Sequence, residues 1–266
     1  MSDHRPHTEH LELTTEGSEA RLTLARPNVL NALSVELLEE IVAVCDWLAR
    51  QDEIRVVVLA GAGRAFSAGA DLSSLARLSA TDGTARAAAD AGNRAATAIE
   101  SLPQVTLAAI HGRCVGGGVV LALACDLRFA ASETRFSIPE VDLGIPLAWG
   151  GIPRLLREVG PAMARDLVLT CREFDAAEAL ATGLISRVLP DHSFEAAVAE
   201  VVADLVGKAR LPVRATLDGV AAISGLGSPL GWSDADSLLA ALADPESRAA
   251  GQRYLERILG GRTDLE

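Results

Sequence analysis

Aromatic side chains are scarce in this chain: Phe, Tyr and Trp together make up 3% of its 266 residues. Any core must therefore be built from Ala, Val, Leu and Ile, in keeping with a hydrophobic fraction of 49%. Positive charge is also in short supply, with 24 Lys and Arg against 36 Asp and Glu and a net charge of −12. That balance argues against a nucleic-acid partner and an anionic membrane surface, since both attract Lys and Arg, and it obliges any polyanionic ligand to find a local basic pocket. No apolar run is long enough to span a bilayer, and the N-terminus lacks the apolar segment of a signal peptide. The cysteines at 45, 114, 125 and 171 form no C-x-x-C pair. This is the usage of a cytoplasmic protein with reduced thiols. No residues cluster at metal-ligand spacing, and His4, His7 and His10 fall in a polar stretch that reads as a frayed tail rather than a metal site.

What is present is an alternation of short apolar strands and helices, an α/β pattern of a length that suits one domain with an appendage. Residues 11–14 and 20–24 read as a hairpin turning at Glu16-Gly17-Ser18. Ser34 stands where an N-cap is expected for a helix running to about Arg50, with Glu36 near its positive end. The β-branched run 56–59 and the apolar run 105–110 read as buried strands. A helix starting at residue 72 is interrupted at 79–83, either by a flap over a ligand or by a plain surface loop, before an Ala-rich helix over 84–101. Helices follow over 151–158, 161–170 and 175–181, the Gly160-Pro161 step marking an end and a new start. Residues 185–189 read as a last strand. From 193 onward the pattern is amphipathic helix, broken at 211–212, 225–231 and 244–245.

Two glycine-rich junctions carry the chemistry. Gly61 to Asp71 follows one buried strand, and Gly116, Gly117 and Gly118 follow another, each leading into a helix. Glycines at a strand-to-helix junction let a ligand approach the backbone, and the first helical N–H groups lack intrahelical acceptors. Two such junctions can each aim one N–H at a single carbonyl oxygen, the requirement for an oxyanion hole. Glu140, behind Pro139 in a short turn, adds an acid/base.

The motifs RPNVLNALS (26–34), AFSAGADL (65–72), HGRCVGGG (111–118), CDLRFA (125–130), FSIPEVDLGIP (136–146) and DAAEALATGLISRVLP (175–190) occur in an order and spacing that resemble the crotonase superfamily, the enoyl-CoA hydratase/isomerase fold. The resemblance implies a spiral of strand-strand-helix turns over residues 10–190 and a C-terminal helical region over 191–266 that packs at trimer contacts; the polar stretch before the spiral, residues 1–9, is expected to be a disordered tail. It implies a homotrimer or a dimer of trimers, and an acyl-CoA substrate whose coenzyme A is part of the substrate, with no separate cofactor and no metal. It assigns the oxyanion donors to the N–H groups of Ala70 and Gly117 and the proton transfer to Glu140. It places Arg26, Asn28, Ala68, Ala70, Asp71, Leu72, Gly116 and Gly117 along the CoA and thioester.

Departures from the family pattern bear on the reaction. Hydratases of the family clamp water between two glutamates, and the position of the first is Val120 here. Dienoyl-CoA isomerases add a carboxylate where this chain has Ala148. Monofunctional Δ3,Δ2-enoyl-CoA isomerases work with the remaining glutamate alone, which makes that activity the expectation. Enoyl-CoA hydratase, with Asp142 or solvent in place of the missing glutamate, is the alternative; a non-catalytic acyl-CoA binding protein is a second. Leu147 and Trp149 read equally as packing residues or substrate contacts. Asp126 reads as a structural element end.

Overall fold

The first two strands show how the sheet chooses its covered face. In β1 (Leu11–Glu16) Leu11 and Leu13 are buried, and in β2 (Glu19–Leu24) Ala20, Leu22 and Leu24 are, the period of two that an extended chain imposes. A two-residue turn joins them with Glu16 opposite Glu19, and Gly17 supplies the left-handed φ of 54° that the turn requires. The computed structural model describes residues 4–76, 83–224, 239–240 and 242–260. In the tail, the N–H groups of Glu9 and His10 are bonded to the Glu40 carboxylate at 3.0 and 2.9 Å.

β3 (Val56–Gly61) and β4 (Val105–Ile110) are buried almost throughout, as central parallel strands covered on both faces must be. With β6 (Leu127–Ala131) and β9 (Arg187–Leu189) they form a six-stranded sheet in the order β1-β2-β3-β4-β6-β9, antiparallel only between β1 and β2. One face is covered by α1 (Val35–Leu48), α3 (Gly83–Glu100) and α4 (Gly117–Leu123), the other by α7 (Phe194–Val206) through Phe194, Val198 and Val202. Ser34 caps α1 as read, its hydroxyl accepting from Leu37 N–H at 3.4 Å. A second, three-stranded sheet, β5 (Arg113–Val115), β7 (Arg135–Ser137) and β8 (Phe174–Asp175), follows the first turn by turn. Phe136 and Phe174 stack across it at 5.4 Å.

The α/β architecture with C-terminal helices agrees with the fold class implied by the motifs. α5 (Gly151–Thr170) bends at Gly160, whose φ of 72° and ψ of 170° leave the helix immediately before Pro161. α6 (Ala176–Ala181) starts on an Asp175 cap, the carboxylate accepting from Glu178 N–H at 2.8 Å. The last strand begins two residues later than read, because Ile185 N–H is bonded to Ala179 at the end of α6. α2 (Leu72–Ala76) starts where expected; its continuation and the interruption at 79–83 with the flap reading lie outside the described residues, except for Gly83, which is helical and opens α3, and the break at 225–231 lies outside them too. α8 (Arg210–Ser224) and α9 (Pro245–Gly260) complete the chain, and Gly251 of α9 lies on the carbonyl of Leu143, where an added Cβ would stand 2.7 Å from that oxygen.

Candidate active site

Loop 62–71 after β3 and the β5–α4 junction after β4 are built against each other. Ser67 pairs with Cys114 as a parallel bridge, through Ser67 N–H to Arg113 at 3.0 Å and Val115 N–H to Ser67 at 3.0 Å. Gly69, at φ 86°, comes so close that a Cβ on it would lie 2.7 Å from the Val115 carbonyl and 3.5 Å from the Gly117 nitrogen. The next residue is Ala70. Its partner across a second bridge, Leu33, uses the Gly69 carbonyl and the Asp71 N–H, leaving the Ala70 N–H outside the ladder. Gly117 opens α4, where an N–H has no intrahelical acceptor. Among the described residues neither amide has a hydrogen-bond acceptor.

Both residues line one recess with Glu140. The other walls are Val120, Ile145, Pro146, Leu147, Ala148 and Trp149, and the enclosed space between them is about 20 Å3. Glu140 is held by the turn after β7, in which Leu143 N–H reaches Pro139 and Ile145 N–H reaches the Glu140 carbonyl, each at 3.0 Å. Its side chain passes over Gly116: a Cβ there would stand 2.2 Å from Oε1, and Gly116 itself has φ 48°. Glycine is required on both counts. Oε2 is buried without a hydrogen-bond partner among the described residues. Burial pushes the Glu140 carboxyl up from 4.5 to about 7, offset in part by its own backbone N–H. A carboxyl so placed exchanges a proton near neutrality and faces an apolar wall with two unengaged amides.

The structure thus gathers Ala70, Gly117 and Glu140, and it sets Val120 and Ala148, the two positions that depart from the carboxylates of related reactions, in the same lining. Gly116 supports this group from beneath Glu140. Arg26, Asn28, Ala68 and Asp71 are not recess residues and lie along the two neighbouring loops, and Leu72, also outside the recess, opens α2. Arg26 is bound internally, its Nη1 donating to the Asp71 carboxylate at 3.0 Å and to the Ala32 carbonyl. Asp142 is exposed and outside the recess. Asp126 is structural as read: its carboxylate accepts from Thr106 N–H and Oγ1 at 2.7 Å, tying the end of α4 to β4. Among the described residues no three His, Cys, Asp or Glu side chains gather as a metal site, and no helix is long and apolar enough to cross a membrane.

Two residues that matter here escaped the sequence reading. Asn31 is fully buried at φ 55°, and its Nδ2 donates to the carbonyls of Ala62 and Ala65 at 2.9 and 2.8 Å while Oδ1 accepts from Arg26 N–H at 2.9 Å. It braces the loop that carries Ala70, and its tolerance of the left-handed region was the available signal. Arg154 is 7% exposed and holds the carbonyls of Trp149 and Gly150 at 3.1 and 3.2 Å. Nothing local in the sequence separates it from the other α5 arginines.

Two unengaged peptide amides at facing glycine-rich junctions and a desolvated carboxylate thus line one recess on a spiral α/β fold. Residues 14–257 match the family model described as enoyl-CoA hydratase/isomerase, and the chain belongs to that family, the crotonase superfamily of enzymes. Over 76% of its length it is 36% identical to a short-chain-enoyl-CoA hydratase of Clostridium acetobutylicum, covering 77% of that protein. It is 37% identical, over 78% of its length and 79% of the relative, to a peroxisomal Δ(3,5)-Δ(2,4)-dienoyl-CoA isomerase of Arabidopsis thaliana. The crystal structure of an enoyl-CoA hydratase from Mycobacterium avium subsp. paratuberculosis superposes with a TM-score of 0.83 at 28% identity, over 93% of this chain and 99% of the other.

Proposed function

We propose that the protein is a Δ3,Δ2-enoyl-CoA isomerase in which Glu140 is the single catalytic carboxylate. The observation that carries this reading is the recess itself: Glu140 is its only carboxylate among the described residues, and Val120 and Ala148 present hydrocarbon where a second would stand. Glu140 as carboxylate takes a proton from C2 of a 3-enoyl thioester, and the electron pair moves onto the thioester oxygen as a dienolate. The N–H groups of Ala70 and Gly117 stabilise that oxygen, a contribution on the order of 3 kcal/mol per donor in such sites. The same carboxyl returns its proton to C4, moving the double bond into conjugation with no net gain or loss of atoms. Coenzyme A enters as part of the substrate, and the reaction draws on no metal or further cofactor. The assembly proposed with this activity is a homotrimer or a dimer of trimers.

Enoyl-CoA hydratase is the second reading, favoured by the relative of that name in Clostridium acetobutylicum. A side-by-side assay of 3-enoyl-CoA and 2-enoyl-CoA, on the wild-type chain and on Val120→Glu, separates the two. Isomerisation should dominate in the wild type, and Val120→Glu should raise hydration of 2-enoyl-CoA by supplying a second oxygen for water opposite Glu140. Fast wild-type hydration, indifferent to the residue at 120, would reject the isomerase reading.

A further inference from the structure

Trp149 stands in the recess on a backbone that few bulky residues adopt. Its φ is 60°, in the left-handed region, and Gly150 follows at 68°. The conformation is held from outside: Arg154 grips both of their carbonyls and is itself anchored on α3 by Glu100 at 2.7 Å and Thr97 at 3.3 Å. The indole is thereby laid against two glycines. A Cβ on Gly92 would meet its Cδ2 at 1.9 Å, and a Cβ on Gly117 would meet its Cζ3 at 2.3 Å. Gly92 lies inside α3, where glycine is less favourable than alanine, so the helix gives up a side chain at the place the ring occupies. The ring edge at Gly117 is also the edge beside one of the two unengaged amides.

We infer that Trp149 is the specificity-determining wall of the acyl site, closing it to all but short, uncharged acyl chains. The inference rests on the acyl-CoA reading above. A thioester whose oxygen sits at the amides of Ala70 and Gly117 has its C2 before Glu140, and the chain beyond runs into the indole. The remaining walls, Val120, Ile145, Pro146, Leu147 and Ala148, are apolar, so nothing in the lining answers a polar or charged chain end. The enclosed space left beside the indole is about 20 Å3, far below the volume of a ligand pocket, so a long chain finds no room there. In an open apolar tunnel each further buried methylene would strengthen binding about fourfold. The wall removes that gain and turns it into exclusion.

The test uses saturated, unreactive ligands, so that it does not depend on which reaction is catalysed. Butanoyl-CoA and decanoyl-CoA are titrated calorimetrically against the full chain, Trp149→Gly, which suits the left-handed backbone, and Trp149→Phe, which keeps a ring. The wild type should bind butanoyl-CoA the more tightly. The ratio of decanoyl to butanoyl affinity should rise roughly 100-fold or more in Trp149→Gly, the return from four or so newly buried methylenes, and by less in Trp149→Phe. Wild-type protein that binds decanoyl-CoA at least as well as butanoyl-CoA would overturn the inference, as would a folded Trp149→Gly with an unchanged ratio. Should the glycine variant fail to fold, an unchanged ratio in Trp149→Phe overturns it in the same way. Binding of neither ligand by the wild type is a different result, and it would reject the acyl-CoA reading on which the inference stands.

Discussion

A buried carboxyl that titrates near 7 leaves two separate marks, one on rate and one on stability. The base form of Glu140 is the charged form, and burial without a partner for Oε2 disfavours it. Turnover per free enzyme should therefore rise with pH through an acid limb at about 7, and Glu140→Gln should nearly abolish isomerisation at every pH, checked by kcat/KM profiles. Stability moves the other way. The folded carboxyl holds its proton to a higher pH than the unfolded one, so between 4.5 and about 7 the native state binds more protons and its stability falls as pH rises. Below 4.5 this contribution is fully present; above 7 it is lost. Glu140→Gln, which cannot ionise, should match the wild type in acid and exceed it at pH 8 by about 3 kcal/mol, read from urea denaturation at both pH values. An equal difference at both would mean that the carboxylate is solvated after all.

The short helix α4 contributes its first turn to the site and the rest to the core. Gly118 is pressed on Ser67, a Cβ there standing 2.9 Å from the Ser67 Cβ, while Val119, Leu121 and Leu123 are buried. The helix therefore cannot retreat when its N-terminus is crowded. Gly117→Val would set its Cβ 2.3 Å from the Trp149 ring and push the indole into the recess. Turnover should fall roughly 100-fold or more, the scale of losing an oxyanion donor. Thermal unfolding should show a loss of about 1–3 kcal/mol from overpacking, with the circular dichroism spectrum retained. Full activity in that variant would remove Gly117 from the site.

Over the whole molecule, helix α5 and its surroundings leave large apolar side chains in solvent: Ile152 and Leu156 at 43% exposure each, Leu169 at 66%, and Leu180 beyond it at 43%. Surfaces of this kind favour self-association over a dispersed acidic monomer, and closed point-group symmetry is the usual outcome. Light scattering at micromolar concentration should give three or six times the chain mass of 27.7 kDa. A stable monomer would rule out the proposed trimer and leave that apolar surface unexplained.

Much of this was fixed by local chemistry. Alternation marked β1 and β2, continuous apolar runs marked β3 and β4, Ser34 and Asp175 marked helix starts, and Gly160-Pro161 marked the bend in α5, because side-chain period and capping act within a few residues of chain. The role of the carboxylate at Glu140, and the meaning of its absence at Val120 and Ala148, came instead from the resemblance of the ordered motifs to the crotonase superfamily. What only the tertiary structure decided depends on segments far apart in sequence meeting through space. Arg26 finds Asp71 instead of solvent. The Trp149 ring finds Gly92 and Gly117, on two different helices. Glu140 loses water because Val120, Ile145 and Leu147 close over it, and desolvation, unlike helix or strand formation, is set by which atoms surround a group and not by its neighbours in the chain.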